Sequence, residues 1–106
     1  MARIGAFEEL VLLAAGGLAG EGYGVTIQAD LERKTGDPIS LGAVYATLDR
    51  LERKGLVRSR MGPATAERGG RRKRVYQVTS HGVAAVRTMQ RIRARLGCPT
   101  LHPARA

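Results

Sequence analysis

Five cations fall within the seven residues Arg68-Gly69-Gly70-Arg71-Arg72-Lys73-Arg74. Arginine and lysine at this density neutralise phosphate, and each phosphate so paired steepens the salt dependence of binding by roughly 0.9 log units per log salt. The glycines let the segment follow a polyanion backbone or enter a narrow minor groove, where arginine is favoured by the enhanced negative potential. A solvated loop or a basic targeting tract has a similar composition, so the flanking elements decide between these readings. The other reactive side chains form no constellation. Cys98 and His102 stand four apart near the C-terminus without the further Cys or His that a zinc site needs. His81 lies where a helix begins. No phosphate-cradling loop or nucleophile elbow occurs. No enzyme, metal or cofactor is expected.

The charge distribution sharpens this. The 106 residues carry a formal net charge of +9, which ranks nucleic acid high among partners. Residues 1–37 have a net charge of −3, residues 38–80 of +7 and residues 81–106 of +5. A solubilising coat would not segregate in this way. A single cysteine excludes an internal disulfide. The start of the chain lacks the pattern of a signal peptide, and Leu10–Ala15 is too short an apolar stretch to span a bilayer. A cytoplasmic protein without membrane contact is expected.

Elements must position these cations. Phe7, Leu10, Val11, Ala14 and Leu18 recur at helical spacing, predicting a first helix over about Ile4–Leu18. A second follows from about Tyr23, with Ile27 and Leu31 on one face, and ends at Gly36-Asp37-Pro38. Ser40 is suited to cap a third helix, Leu41–Lys54, which Gly55 terminates. Residues 56–61 and 74–78 alternate as strands. Thr79 can cap a last helix reaching about Leu96. The expected fold is therefore mainly α with a small β-hairpin, in the order α-α-α-β-β-α. That is a winged helix-turn-helix, in which the third helix enters the major groove and the loop between the strands is the wing. Residues 1–80 form the winged domain, 81–97 a dimerisation helix, and 98–106 a tail expected to be disordered.

With Leu41, Val44, Leu48 and Leu51 turned to the core, the third helix shows Gly42, Ala43, Ala46, Asp49, Arg50 and Arg53 outward, with Tyr45 and Thr47 at the margins. Small residues admit the helix deep into a groove about 12 Å wide, and alanine can meet a thymine methyl. Thr47 and Arg50 are the side chains best able to reach base edges. Ser40 and the first-turn N–H groups can hold a phosphate, and the Tyr45 hydroxyl can donate to another. The DNA-contact set is thus Ser40, Ala43, Tyr45, Ala46, Thr47 and Arg50, with Arg68, Arg71, Arg72, Lys73 and Arg74 in the wing. The plainer alternative is an amphipathic surface helix whose Arg50 and Arg53 are solvated or paired with Asp49 and Glu52.

Tyr23-Gly24, the run Ser40-Leu41-Gly42-Ala43-Val44-Tyr45 through Gly55-Leu56-Val57, and Gly69-Gly70-Arg71-Arg72-Lys73-Arg74-Val75-Tyr76-Gln77-Val78-Thr79 with Gly82 resemble the PadR-type transcriptional regulators. The resemblance runs from about Phe7 to Met89. It implies a homodimeric repressor on a palindromic operator in double-stranded DNA, with Tyr45 and the third helix as contacts and the Arg71–Arg74 region as the wing. Many relatives have a longer C-terminal domain, so a small-molecule effector is possible but unsupported.

In the last helix Ala85, Met89, Ile92 and Leu96 follow the spacing of a coiled-coil seam, which predicts a dimer interface with the first helix contributing. The other reading packs this stripe only on its own domain. Two rival functions remain open: a winged helix that binds nucleic acid, RNA included, with little sequence preference, and a ligand-sensing regulator with a pocket at the dimer interface.

Overall fold

The computed structural model describes residues 3–62, 73–97 and 101–104. The elements are α1 (Ala6–Gly17), α2 (Gly24–Thr35), α3 (Leu41–Arg53), β1 (Val57–Met61), β2 (Arg74–Val78) and α4 (Ser80–Leu96). The strands pair antiparallel with Val57 opposite Val78 and Met61 opposite Arg74. This is the expected winged helix-turn-helix order. Residues 101–104 carry neither helix nor strand, and the rest of the expected tail lies outside the described residues.

Local chemistry sets the ends of α3. The Ser40 hydroxyl accepts from the Ala43 N–H at 3.0 Å, satisfying one donor that the helix start leaves without an intrahelical partner. At the other end Gly55 takes the left-handed conformation (φ 75°). There the Leu56 N–H reaches the Leu51 carbonyl at 2.9 Å and the Gly55 N–H reaches that of Glu52 at 3.0 Å. This is a Schellman turn, and it places buried Leu56 at the position that usually makes its apolar contact.

Thr79 joins this turn to α4. Its N–H donates to the Leu56 carbonyl at 3.0 Å, its hydroxyl donates to the Gly55 carbonyl at 2.7 Å, and the same oxygen accepts from the Gly82 N–H at 3.1 Å. At the opposite edge of the hairpin the Tyr76 N–H donates to the Gly22 carbonyl at 2.9 Å. The segment joining α1 and α2 therefore docks on β2 instead of serving only as a flexible link.

Val11, Ile27, Val44, Leu48 and Leu51 are fully buried and form the centre of one core shared by α1, α2 and α3. Two expectations are corrected. In α1 the buried residues include Leu12 and Ala15, whereas Leu10 is 39% exposed. Residues 10–15 are all apolar, so tertiary partners and not the sequence period choose the inward face. In α4 Ala85 is buried within its own domain, because the start of α4 lies against the turn held by Thr79. Ala85 is thus core and not seam. Met89 packs at the edge of the same core, while half-buried Ile92 and Leu96, 76% exposed, lie outside it.

Candidate nucleic-acid interface

The outward face of α3 is small, as expected: Gly42, Ala43 and Ala46 are all exposed. Ser40 spends its acceptor on the helix cap, so the hydroxyl proton remains able to donate. Tyr45 is 43% exposed, and the phenol end of its ring lies against Gly24 at the start of α2. A β-carbon built at Gly24 would fall 2.4 Å from Tyr45 Cζ and 2.6 Å from its hydroxyl oxygen. The absence of a side chain at position 24 therefore sets where that hydroxyl points.

Thr47 is a correction. It is 2% exposed and accepts from Arg50 Nη2 at 3.2 Å, so it cannot reach a base edge in this conformation. The buried arc of α3 is wider than its four aliphatic residues indicate. Arg50 leans the same way, its Nε 3.8 Å from Glu8 Oε2 of α1. Arg53 pairs with Asp49 along the helix, as the plainer reading anticipates.

In the wing, Arg68, Arg71 and Arg72 lie outside the described residues. Lys73 and Arg74 are both engaged by the body of the domain. Lys73 Nζ stands 4.4 Å from the centre of the Tyr23 ring, a cation–π contact. Arg74 Nη1 donates to the Ser59 hydroxyl at 2.9 Å. That hydroxyl in turn donates to Glu52 of α3 at 2.7 Å, and the Ser59 N–H donates to the same carboxylate at 3.1 Å. A chain of polar contacts thus runs from the exposed side of α3 across β1 to the base of the wing. Burial pushes the neighbouring Tyr76 phenol above its usual range, against the pull of Arg74.

Sequence reasoning missed Tyr23, Glu52, Ser59 and above all two buried acids of α1. Glu9, 3% exposed, meets Arg93 of α4 at 2.6 Å. Glu8 Oε1 accepts from the Gly5 N–H at 2.9 Å, and both its oxygens meet Lys54 Nζ, at 3.1 and 2.8 Å. The one local signal was the position of Glu8 in the first turn of a helix, where a carboxylate can close the cap.

Burial alone would raise the Glu8 carboxyl. The Lys54 ammonium, the Gly5 N–H and the Arg50 guanidinium outweigh burial and hold it below the ordinary 4.5. A depressed folded-state pKa contributes stability that is present above 4.5 and is lost as pH falls through the folded value. Denaturant unfolding at a series of pH values should therefore show wild type and Glu8→Gln converging in stability below that pH. A gap of constant size would assign the effect to packing instead.

A capped third helix beside a basic hairpin defines a winged helix-turn-helix protein. Residues 12–88 match the Transcriptional regulator PadR-like family, and the chain belongs to that family. Among solved structures it is similar to RosR of H. salinarum, with 27% identity, a TM-score of 0.62, and coverage of 92% of this chain and 81% of that one. It is also similar to a PadR-like transcription factor from Bacteroides fragilis (19% identity, TM-score 0.71, coverage 85% and 82%). A third is a PadR-like transcriptional regulator from Bacillus cereus (18%, TM-score 0.68, coverage 85% and 82%). At their identities the last two speak to the fold alone. No curated protein matches the chain. Among the described residues no helix is long and apolar enough to cross a membrane.

Proposed function

We propose that this PadR-family regulator binds a palindromic operator in double-stranded DNA as a homodimer, and represses by occupying it. The observation that carries the reading is the pairing of a capped α3, with its exposed Gly42, Ala43 and Ala46, and a wing base whose Lys73 and Arg74 are held by Tyr23 and Ser59. In this reading Ser40 and Tyr45 contact phosphates, and Ala43 and Ala46 meet bases. Repression is what the family resemblance implies. Exposed Leu10, Leu13 and Leu96 support a dimer joined through α1 and α4, as does the apolar groove between those helices lined by Leu13, Gly17, Val83 and Val86. Ile92 and Leu96 remain in that seam, with Met89 at its edge.

Selection of bound duplexes from random DNA tests this reading. A symmetric enriched motif with half-sites about 34–36 Å apart is expected. Enrichment without any motif would favour the second reading, a winged helix that binds nucleic acid with little preference, to which the small N-terminal half of the outer face of α3, Gly42, Ala43 and Ala46, lends support. Replacing Arg71 and Arg72 together by alanine should weaken binding to every duplex and lower the salt slope by about 2. Titrations over a range of salt concentrations measure this, and an unchanged slope would remove these residues from the interface.

A further inference from the structure

The C-terminal part of α3 and its cap carry three cations, Arg50, Arg53 and Lys54, and each already has an acid beside it. Asp49 holds Arg53, while Glu8 holds Lys54 at 2.8 Å and lies 3.8 Å from Arg50. The remaining acid of this stretch, Glu52, is taken up by Ser59. A helix expected to approach a polyanion thus meets it with its charges compensated from within.

Glu8 differs from the other acids. It comes from α1, its side chain is about nine-tenths buried, and the Gly5 N–H fixes Oε1 from behind. It cannot turn to solvent when a cation leaves. Arg50 and Lys54, by contrast, are half and more than a third exposed, and can be drawn outward. A phosphate or base that captures either one leaves a buried carboxylate short of compensation, which is costly in a poorly solvated site. Only a partner that holds the cations at full hydrogen-bonding geometry offsets that cost. Discrimination then works partly by penalising wrong partners and not only by rewarding the right one.

We propose that Glu8 is a specificity-determining residue outside the reading helix, an internal competitor that releases Arg50 and Lys54 only to a duplex whose groove fits α3. This rests on the reading of the protein as a sequence-specific DNA binder.

The test compares wild type with Glu8→Gln, which keeps the shape and the acceptor for Gly5 but removes the charge. Affinity is measured across salt concentrations for the selected operator and for a random duplex of equal length. In the variant the random duplex should bind about 3- to 10-fold tighter at low salt, with the slope steeper by up to about 2 as two freed cations meet phosphate. The ratio of operator to random affinity should fall about tenfold. Parallel changes on both duplexes, the mark of a merely structural role, would overturn the proposal. Should circular dichroism show Glu8→Gln unfolded, the double variant Arg50→Gln with Lys54→Gln provides the measurement. Its loss on the operator should exceed its loss on random DNA at least about fivefold, and equal losses would overturn the proposal. A wild type without preference between duplexes overturns the DNA-specific reading and this inference with it. A discriminating wild type with an equally discriminating variant overturns the inference alone.

Discussion

Gly82→Ala should lower the melting temperature by more than about 10 °C, or leave no folded protein. A β-carbon at this position would lie 2.2 Å from the Leu56 carbonyl oxygen and 2.7 Å from Val78 Cγ1. The carbonyl cannot step aside. It accepts the Thr79 N–H, and its own residue closes the Schellman turn at the end of α3. Relief requires α4 to lift from the turn, breaking the Thr79 contacts and exposing Ala85. Overpacking of this kind costs about 1–3 kcal/mol and occasionally more, and each kcal/mol shifts the melting point of a domain near this size by about 4–8 °C. Gly42→Ala is the control. Nothing lies within 4 Å of a β-carbon there, so relief of the glycine entropy penalty should stabilise by up to about 1 kcal/mol. Thermal unfolding followed by circular dichroism decides the matter, and similar melting points for the two variants would refute the contact argument.

Gly24→Ala should have the opposite profile, a fold kept nearly intact and DNA binding lost by about tenfold. The clash here is just as close, 2.4 Å, but it falls on the far end of the Tyr45 side chain and not on backbone. Tyr45 is partly exposed and can swing outward at little cost. The domain survives, while the hydroxyl leaves the place where α2 holds it. A single lost phosphate contact of about 1–2 kcal/mol corresponds to roughly tenfold or somewhat more. Tyr45→Phe separates position from chemistry: it should reproduce the loss without moving the ring. If Gly24→Ala binds as wild type does, the hydroxyl is not a contact. If it unfolds, the ring is less free than its exposure indicates.

These two glycines illustrate what could be read from the chain. The Ser40 cap, the Gly55 terminator, strand 74–78 and the Thr79 cap are set by neighbours a few residues apart, and the structure has them where the sequence placed them. The inward face of α1 was not legible, because six consecutive apolar residues carry no period. Glu8 and Glu9 were illegible for a related reason: the partners that permit their burial, Lys54 and Arg93, are 46 and 84 residues away. Thr47 failed at the margin of a helical face, where a turn of a few tens of degrees decides between groove and core. Ala85 failed because a heptad pattern cannot say whether its seam faces another chain or its own.

The knot at Thr79 has a mechanical consequence. No flexible residue separates the hairpin from α4, and two hydrogen bonds from Thr79 weld the root of that helix to the turn after α3 while a third caps the helix itself. The seventeen residues of α4 make a rod about 25 Å long, fixed at its root by Thr79 and held further along by Met89 on the core and by Arg93 on Glu9. Tilting it by about 10° carries the tip near Leu96 through roughly 4 Å. In a dimer joined near that tip, the tolerance for the distance between half-sites is set by the stiffness of the Thr79 joint together with the Arg93–Glu9 pair. Softening Thr79 by substitution to valine would be felt as a broader range of accepted spacings before it was felt as weaker binding.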